Sequence, residues 1–139
     1  MKIAISSQNK KSVTGHPGKC RNFWIFQIDD AQQIVDKKLL TLEMEQMFHQ
    51  HPADQPHPLD EVDVLISGMM ALWLQQRMAH YNVKAIATSE TDLEKTLSDY
   101  LDGTLSLIPV HGGHGVKKPD LVGGTPLTGI SIASSPNLT

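Results

Sequence analysis

Between Val62 and Asp102 the chain alternates twice between a short apolar run and an amphipathic one, and this order constrains the fold more than any other feature. Val62 to Ser67 is almost unbroken in its apolar character, the pattern of a strand covered on both faces, and Gly68 ends it. Met70, Leu74, Met78 and Tyr81 then recur at i, i+4, i+8 and i+11, one stripe of an amphipathic helix. Val83 to Thr88 reads as a second buried strand. Thr91-Asp92-Leu93-Glu94 has the form of a capping box, in which the threonine hydroxyl and the glutamate satisfy free backbone N–H groups at a helix start. Leu93, Leu97, Tyr100 and Leu101 share one face of the helix that follows, and Gly103 is a natural C-terminal stop. A strand–helix–strand–helix order of this kind demands a parallel pair joined by a right-handed crossover.

The first third of the chain is built differently. Lys2 to Ser6 reads as a short strand with Ile3 and Ile5 on one face, and the aromatic and β-branched run Phe23 to Ile28 as a stronger one. Asp29-Asp30 reads as a tight turn leading to a third strand, Gln33 to Leu40, although the spacing of its apolar residues also suits a helix. Thr41 to His49 is expected to be a short helix with Met44, Met47 and Phe48 on one face and Glu43 and Glu45 near its positive end. Pro52, Pro56 and Pro58 make His51 to Pro58 a loop. A three-stranded meander followed by a parallel βαβ unit predicts an α/β fold with a mixed five-stranded sheet and flanking helices.

Ser7 to Arg21, with Gly15, Pro17 and Gly18, is a polar loop between the first two strands, and it holds the only cysteine of the chain. Cys20 follows His16 by four residues and Gly18 by two, a spacing that can present a thiolate and an imidazole from one side of a sheet edge. The thiolate would be the soft donor that iron, copper or molybdenum–sulfur centres prefer. Lys19 and Arg21 flank it and would lower its pKa and neutralise an anionic ligand. The plainer reading makes Cys20 a small residue filling the loop base, His16 a loop-ordering side chain and the two cations solvated. Met69 and Met70 lie where strand passes to helix; free N–H groups there suit an anion and thioether sulfur suits a soft metal. Met70 also opens the core stripe, which leaves Met69 the freer of the two.

With 139 residues, 40% hydrophobic and 19% charged, the chain has the composition of a globular protein with one substantial core. A formal net charge of −3 and no basic patch argue against a nucleic-acid partner. No apolar stretch has the length of a membrane span, and the start Met1-Lys-Ile-Ala-Ile-Ser6 is too short in its apolar part for a signal peptide. A single cysteine excludes an internal disulfide and a closed multi-cysteine zinc site, so a reducing cytoplasm is the expected compartment. No acid lies in the first strand, Asp63 begins the fourth, and Asp29-Asp30 sit in a turn, so no carboxylate cluster for nuclease chemistry is evident. His49-x-His51 cannot share a helix face. These two, with His57, His111 and His114, are given structural or adventitious roles. From Pro109 onward the chain carries Gly112, Gly113, Gly115, Gly123, Gly124 and Gly129 with Pro109, Pro119, Pro126 and Pro136. It reads as a domain over residues 1–107 and a Gly/Pro-rich C-terminal tail over 108–139, in which only Gly129 to Ala133 alternates like a strand.

Three stretches together resemble the nitrogenase iron–molybdenum cofactor biosynthesis family, the NifX-like cofactor-binding carriers. The first is His16-x-Gly18-x-Cys20-x-x-Phe23 after the first strand. The second is the apolar strand ending at Gly68, the helix to Tyr81 and the short strand from Asn82 to Ile86. The third is Tyr100-Leu-Asp-Gly-Thr-Leu105 at the end of the capped helix. The resemblance covers Met1 to about Leu105 and implies a ribonuclease H-like fold and binding of a metal–sulfur cluster, without catalysis. Two positions depart from the family pattern. Pro17 replaces its aromatic residue, and Gly68-Met69-Met70-Ala71 replaces its glycine-rich turn, so the turn is expected to narrow the site.

The reading is therefore a small cytoplasmic carrier of a metal–sulfur cofactor or its precursor, of iron–molybdenum, iron–sulfur or molybdenum–copper type. His16, Gly18, Cys20, Gly68 and Met69 would form the cofactor site, with Cys20 and His16 as metal ligands. Cofactor-assembly proteins would be its partners. The alternative is a protein-interaction or regulatory module on the same fold with a decayed ligand site.

Overall fold

The computed structural model describes residues 1–112, and the alternation at Gly129 to Ala133 lies outside the described residues. The meander forms as expected: β1 (Lys2–Ser6), β2 (Asn22–Ile28) and β3 (Ile34–Thr41) pair antiparallel in succession. Strand wins over helix at β3 because its register places Leu39 and Leu40 opposite Trp24 and Phe23. The β2–β3 turn is closed by the Asp29 carboxylate, which accepts from the N–H groups of Ala31 and Gln33. Lys37 lies over the Trp24 ring, and exposed Asp36, Lys37 and Lys38 guard this outer strand against further pairing.

β4 (Val64–Ser67), α1 (Leu72–His80), β5 (Lys84–Thr88) and α2 (Leu93–Asp102) follow in the order read from the sequence. β4 pairs parallel with both β1 and β5. The strand count differs from the expectation. A sixth strand, β6 (Leu107–Ile108), adds antiparallel to β5, giving the sheet order β3-β2-β1-β4-β5-β6. Two residues carry too little pattern to be read as a strand in advance, and β6 forms because Thr88 receives it, donating its hydroxyl to the Ser106 carbonyl at 2.6 Å.

The alternation of the strands builds a core on each face of the sheet. Ala4, Phe23, Leu65, Ala85 and Ala87 face Leu74 and Met78 of α1 and Met70 in the turn just before it. Ile3, Ile5, Phe26, Val64 and Ile66 face α2 through Leu93 and Leu97. Each large side chain buried in this way contributes on the order of 2 kcal/mol.

Two local expectations are corrected. The N-cap of α2 is Asp92, whose carboxylate accepts from the Lys95 N–H at 2.7 Å; Thr91 donates its own N–H to Glu90 instead. A carboxylate at the positive helix end outcompetes a hydroxyl one position earlier. Gly103 closes the helix with φ +76 as anticipated. The expected helix from Thr41 to His49 is only a single 3-10 turn, Met44–Gln46. Its ends are pinned elsewhere: the Leu42 N–H donates to the Arg21 carbonyl and the His49 N–H to the Gly18 carbonyl. Leu42 and Phe48 are buried while Met44 is 58% exposed, so the expected apolar face does not exist.

Candidate ligand cavity

The loop after β1 and the turn after β4 meet at the carboxyl ends of two adjacent parallel strands. From here β1 connects toward one edge of the sheet and β4 toward the other. Such a switch point leaves a crevice between diverging connections, the usual place for a ligand in an open α/β sheet. The loop is fastened to it by one carbonyl. Thr14 O accepts from the Ser6 hydroxyl at 2.6 Å, the Ser67 hydroxyl at 3.1 Å and the Gly68 N–H at 3.0 Å. Ser6 and Ser67 are both fully buried, and their hydroxyl oxygens lie 2.8 Å apart.

This fastening explains Gly68. A Cβ there would stand 3.1 Å from the Gly15 nitrogen and 3.2 Å from the Thr14 carbonyl carbon, so the glycine admits the loop backbone. The sequence reading placed Gly68 in the cofactor site; in the structure the space beside it is taken by the backbone of Thr14 and Gly15. Gly18 has the corresponding role on the other side. A Cβ at Gly18 would overlap the His49 imidazole, which lies directly on the loop at this point. His49 also meets Trp73 edge-on, with ring centroids 5.4 Å apart.

Together these elements enclose a cavity of about 400 Å3, lined among others by His16, Lys19, His49, Met69, Trp73 and His111. Met69 folds over Gly15, its Cγ 3.4 Å and Sδ 3.5 Å from where a Cβ of that glycine would be. His16 stands exposed on the rim with φ +53 directly before Pro17, a backbone state that costs a non-glycine residue on the order of 1 kcal/mol or more. Loop residues Lys10, Lys11, Lys19 and Arg21 are cationic, and no acid occurs before Asp29. The loop therefore offers a positive field to an anion.

Cys20 is placed otherwise. It is 2% exposed and packs in the core on the α1 side, its thiol donating to the Asn22 carbonyl at 3.0 Å. Burial pushes this thiol's pKa up, which opposes the lowering anticipated from Lys19 and Arg21. Arg21 is turned away, with Nε donating to the Leu42 carbonyl at 2.8 Å. Cys20 and His16 do share the lining of a neighbouring depression of about 410 Å3 with Gln8, Thr14, Gly15 and Lys19. The anion site anticipated at the start of α1 is partly used by the protein itself, because the Leu72 N–H donates to the His111 carbonyl at 2.8 Å.

Sequence reasoning gave His49 and His111 structural or adventitious roles, and the structure places both in the cavity lining. No spacing could reveal them, since His49 reaches the cavity through its pairing with Gly18 and His111 through its pairing with the turn after β4. Among the described residues no three His, Cys, Asp or Glu side chains converge as a site for a bare metal ion. The cavity instead gathers residues with imidazoles and a thioether, donors that suit soft metals, and a lysine whose ammonium suits an anion.

A mixed sheet with a helix-backed core on each face and a loop-walled cavity at its switch point defines a small α/β protein with one candidate ligand site. The sequence profile of the dinitrogenase iron–molybdenum cofactor family matches residues 1–103, and the chain belongs to that family. Solved structures share the fold. A crystal structure of a provisionally named dinitrogenase from Methanocaldococcus jannaschii is 19% identical with a TM-score of 0.60, over 79% of this chain and 96% of that one. The apo orange protein from Desulfovibrio gigas is 15% identical with a TM-score of 0.56, over 78% and 93%. A provisionally named NifB protein from Thermotoga is 14% identical with a TM-score of 0.53, over 82% and 98%. Comparison with curated protein sequences finds no match. Among the described residues no helix is long and apolar enough to cross a membrane.

Proposed function

We propose that this chain binds an anionic metal–sulfur cofactor or its precursor in the cavity beside the β1–β2 loop and passes it on, without catalysing a reaction on it. The carrying observation is the cavity itself, where His16 and His49 imidazoles, the Met69 thioether and the Lys19 ammonium surround one space at the sheet's switch point. Membership in a family named for the iron–molybdenum cofactor supports the ligand class. Cofactor-assembly proteins are the matching donors and acceptors.

Met69 narrows the space, so a small, soft centre of iron–sulfur or molybdenum–copper type fits this site better than a large iron–molybdenum cofactor. Gly18 and Gly68 serve by admitting His49 and the loop backbone. Cys20 anchors the loop from beneath, and the imidazoles take the ligand role that its position in the motif suggested.

Anaerobic titration with tetrathiomolybdate, an anionic molybdenum–sulfur species, tests this reading. Uptake of one equivalent with a shift of the charge-transfer bands is expected. Cys20→Ala is expected to retain that uptake, and a paired His16→Ala, His49→Ala variant to lose most of it. Absence of uptake by the wild type would favour the interaction module instead; loss in Cys20→Ala alone would move the ligand to the thiolate.

A further inference from the structure

The family match ends at residue 103, yet the chain's ordered pairing continues and returns to the cavity. After β6, with Ile108 and Val110 packed against the core on the α1 side, the backbone crosses to the turn between β4 and α1. There His111 forms a short parallel bridge with Ala71. Its N–H donates to the Met70 carbonyl at 3.0 Å, and its carbonyl accepts from the Leu72 N–H at 2.8 Å. Two main-chain bonds thus fix the one residue of this segment that lines the cavity, together with His16 and His49.

We propose that His111 is a third imidazole of the ligand site, supplied by the extension beyond the family domain and held in place by this clasp. The inference rests on the carrier reading above and adds a residue that reading does not require. The imidazole would coordinate an outward-facing metal of the metal–sulfur anion, or donate its N–H to a sulfide, while His16 and His49 hold the other side. The clasp matters because an imidazole already fixed beside the cavity gives up less freedom on binding than one on a free tail.

Two substitutions separate the side chain from the clasp. His111→Ala removes the imidazole and leaves both main-chain bonds. Leu72→Pro removes the N–H that holds the His111 carbonyl. It falls at the first residue of α1, where proline is favoured, after Ala71 with ψ 147, which a following proline accepts. Tetrathiomolybdate is titrated anaerobically into the full-length wild type and both variants. Acylation of histidines by diethyl pyrocarbonate is mapped with and without the probe. The four sulfides of tetrathiomolybdate enclose its molybdenum, so this probe reads the imidazole N–H donated to sulfide, and loss of that charge-assisted hydrogen bond predicts binding about ten-fold weaker or more in His111→Ala. A smaller weakening is expected in Leu72→Pro, with unchanged helical circular dichroism. Probe binding should protect His111 from acylation, while exposed His80 on the far end of α1 stays reactive. Wild-type uptake with an unaltered affinity in His111→Ala, or with His111 still acylated, overturns this inference and leaves the carrier reading standing. No wild-type uptake overturns both.

Discussion

His57 holds the segment that carries His49, and it makes the stability of this protein depend on pH in a calculable way. The ring is 4% exposed, stacked on Phe48 with centroids 4.2 Å apart. Its Nε2 donates to the Gln46 carbonyl at 2.6 Å and its Nδ1 accepts from the Leu59 N–H at 3.0 Å, so the neutral ring satisfies both neighbours. Burial first, then the nearby His51 and Arg77 charges, lower its pKa from 6.5 to about 4, against the raising effects of the Gln46 carbonyl and Asp60. The unfolded chain therefore takes up this proton before the folded one does. The stabilisation is fully present above pH 6.5 and is lost as the pH falls toward 4. Between pH 7.5 and 5.0 the loss is about 2 kcal/mol. His57→Asn keeps an acceptor for the Leu59 N–H, as a good capping residue does, but does not titrate. Urea unfolding of both proteins across this range isolates the effect: the wild type should lead the variant at pH 7.5 and lose about 2 kcal/mol of that lead by pH 5.0. A lead that stays constant over the range would refute the assignment of a buried neutral imidazole.

Gly18→Ala should lower stability by only about 1 kcal/mol, because the overlap is relieved by swinging the His49 ring off Trp73, but should weaken tetrathiomolybdate binding severalfold. Equal affinity in an intact fold would remove His49 from the site. Arg77→Met should cost about 3 kcal/mol or more, seen as a melting-temperature drop on the order of 10 °C, because it strips the buried Asp60 carboxylate of its 2.5 Å partner. A drop of only a degree or two would show that the pair is solvated.

The parallel unit was legible because its signals agree: Met70, Leu74 and Met78 keep a helical period between two apolar runs that suit only buried strands. The segment from Leu42 to Glu61 was not, because its shape is set by partners distant in sequence. Glu43 caps a turn, Arg21 and Gly18 pin the ends, and Arg77 of α1 donates to the Gln55 carbonyl and the Asp60 carboxylate. Local propensity sees a helix from Thr41 to His49, where tertiary hydrogen bonds override it, while the loop read at His51 to Pro58 is present. The same holds for the site. His16 and Gly18 were read from a motif and Met69 from its place where strand passes to helix, and the structure puts all three in the lining of one cavity. His49 and His111 carried no periodic or spacing signal at all.

The burial of Cys20 follows from the same logic that makes the loop legible. A loop of polar residues between two strands has few apolar side chains with which to hold itself down, and Ser7 to Arg21 has Val13, Pro17 and Cys20. Val13 docks on the α2 side of the sheet and Cys20 on the α1 side, so the loop straddles the ends of β1 and β4. The Thr14 carbonyl fixes its middle between them. With both flanks anchored, the part left free to face a ligand is the His16–Lys19 turn, closed by the Lys19 N–H on the His16 carbonyl at 3.0 Å. A cysteine spent on anchoring keeps its proton, since burial raises its pKa and the Asn22 carbonyl takes its S–H. The carrier proposed above therefore draws its donors from the side chains that the anchored loop and its neighbours leave at the cavity, His16 and His49, and not from the buried thiol.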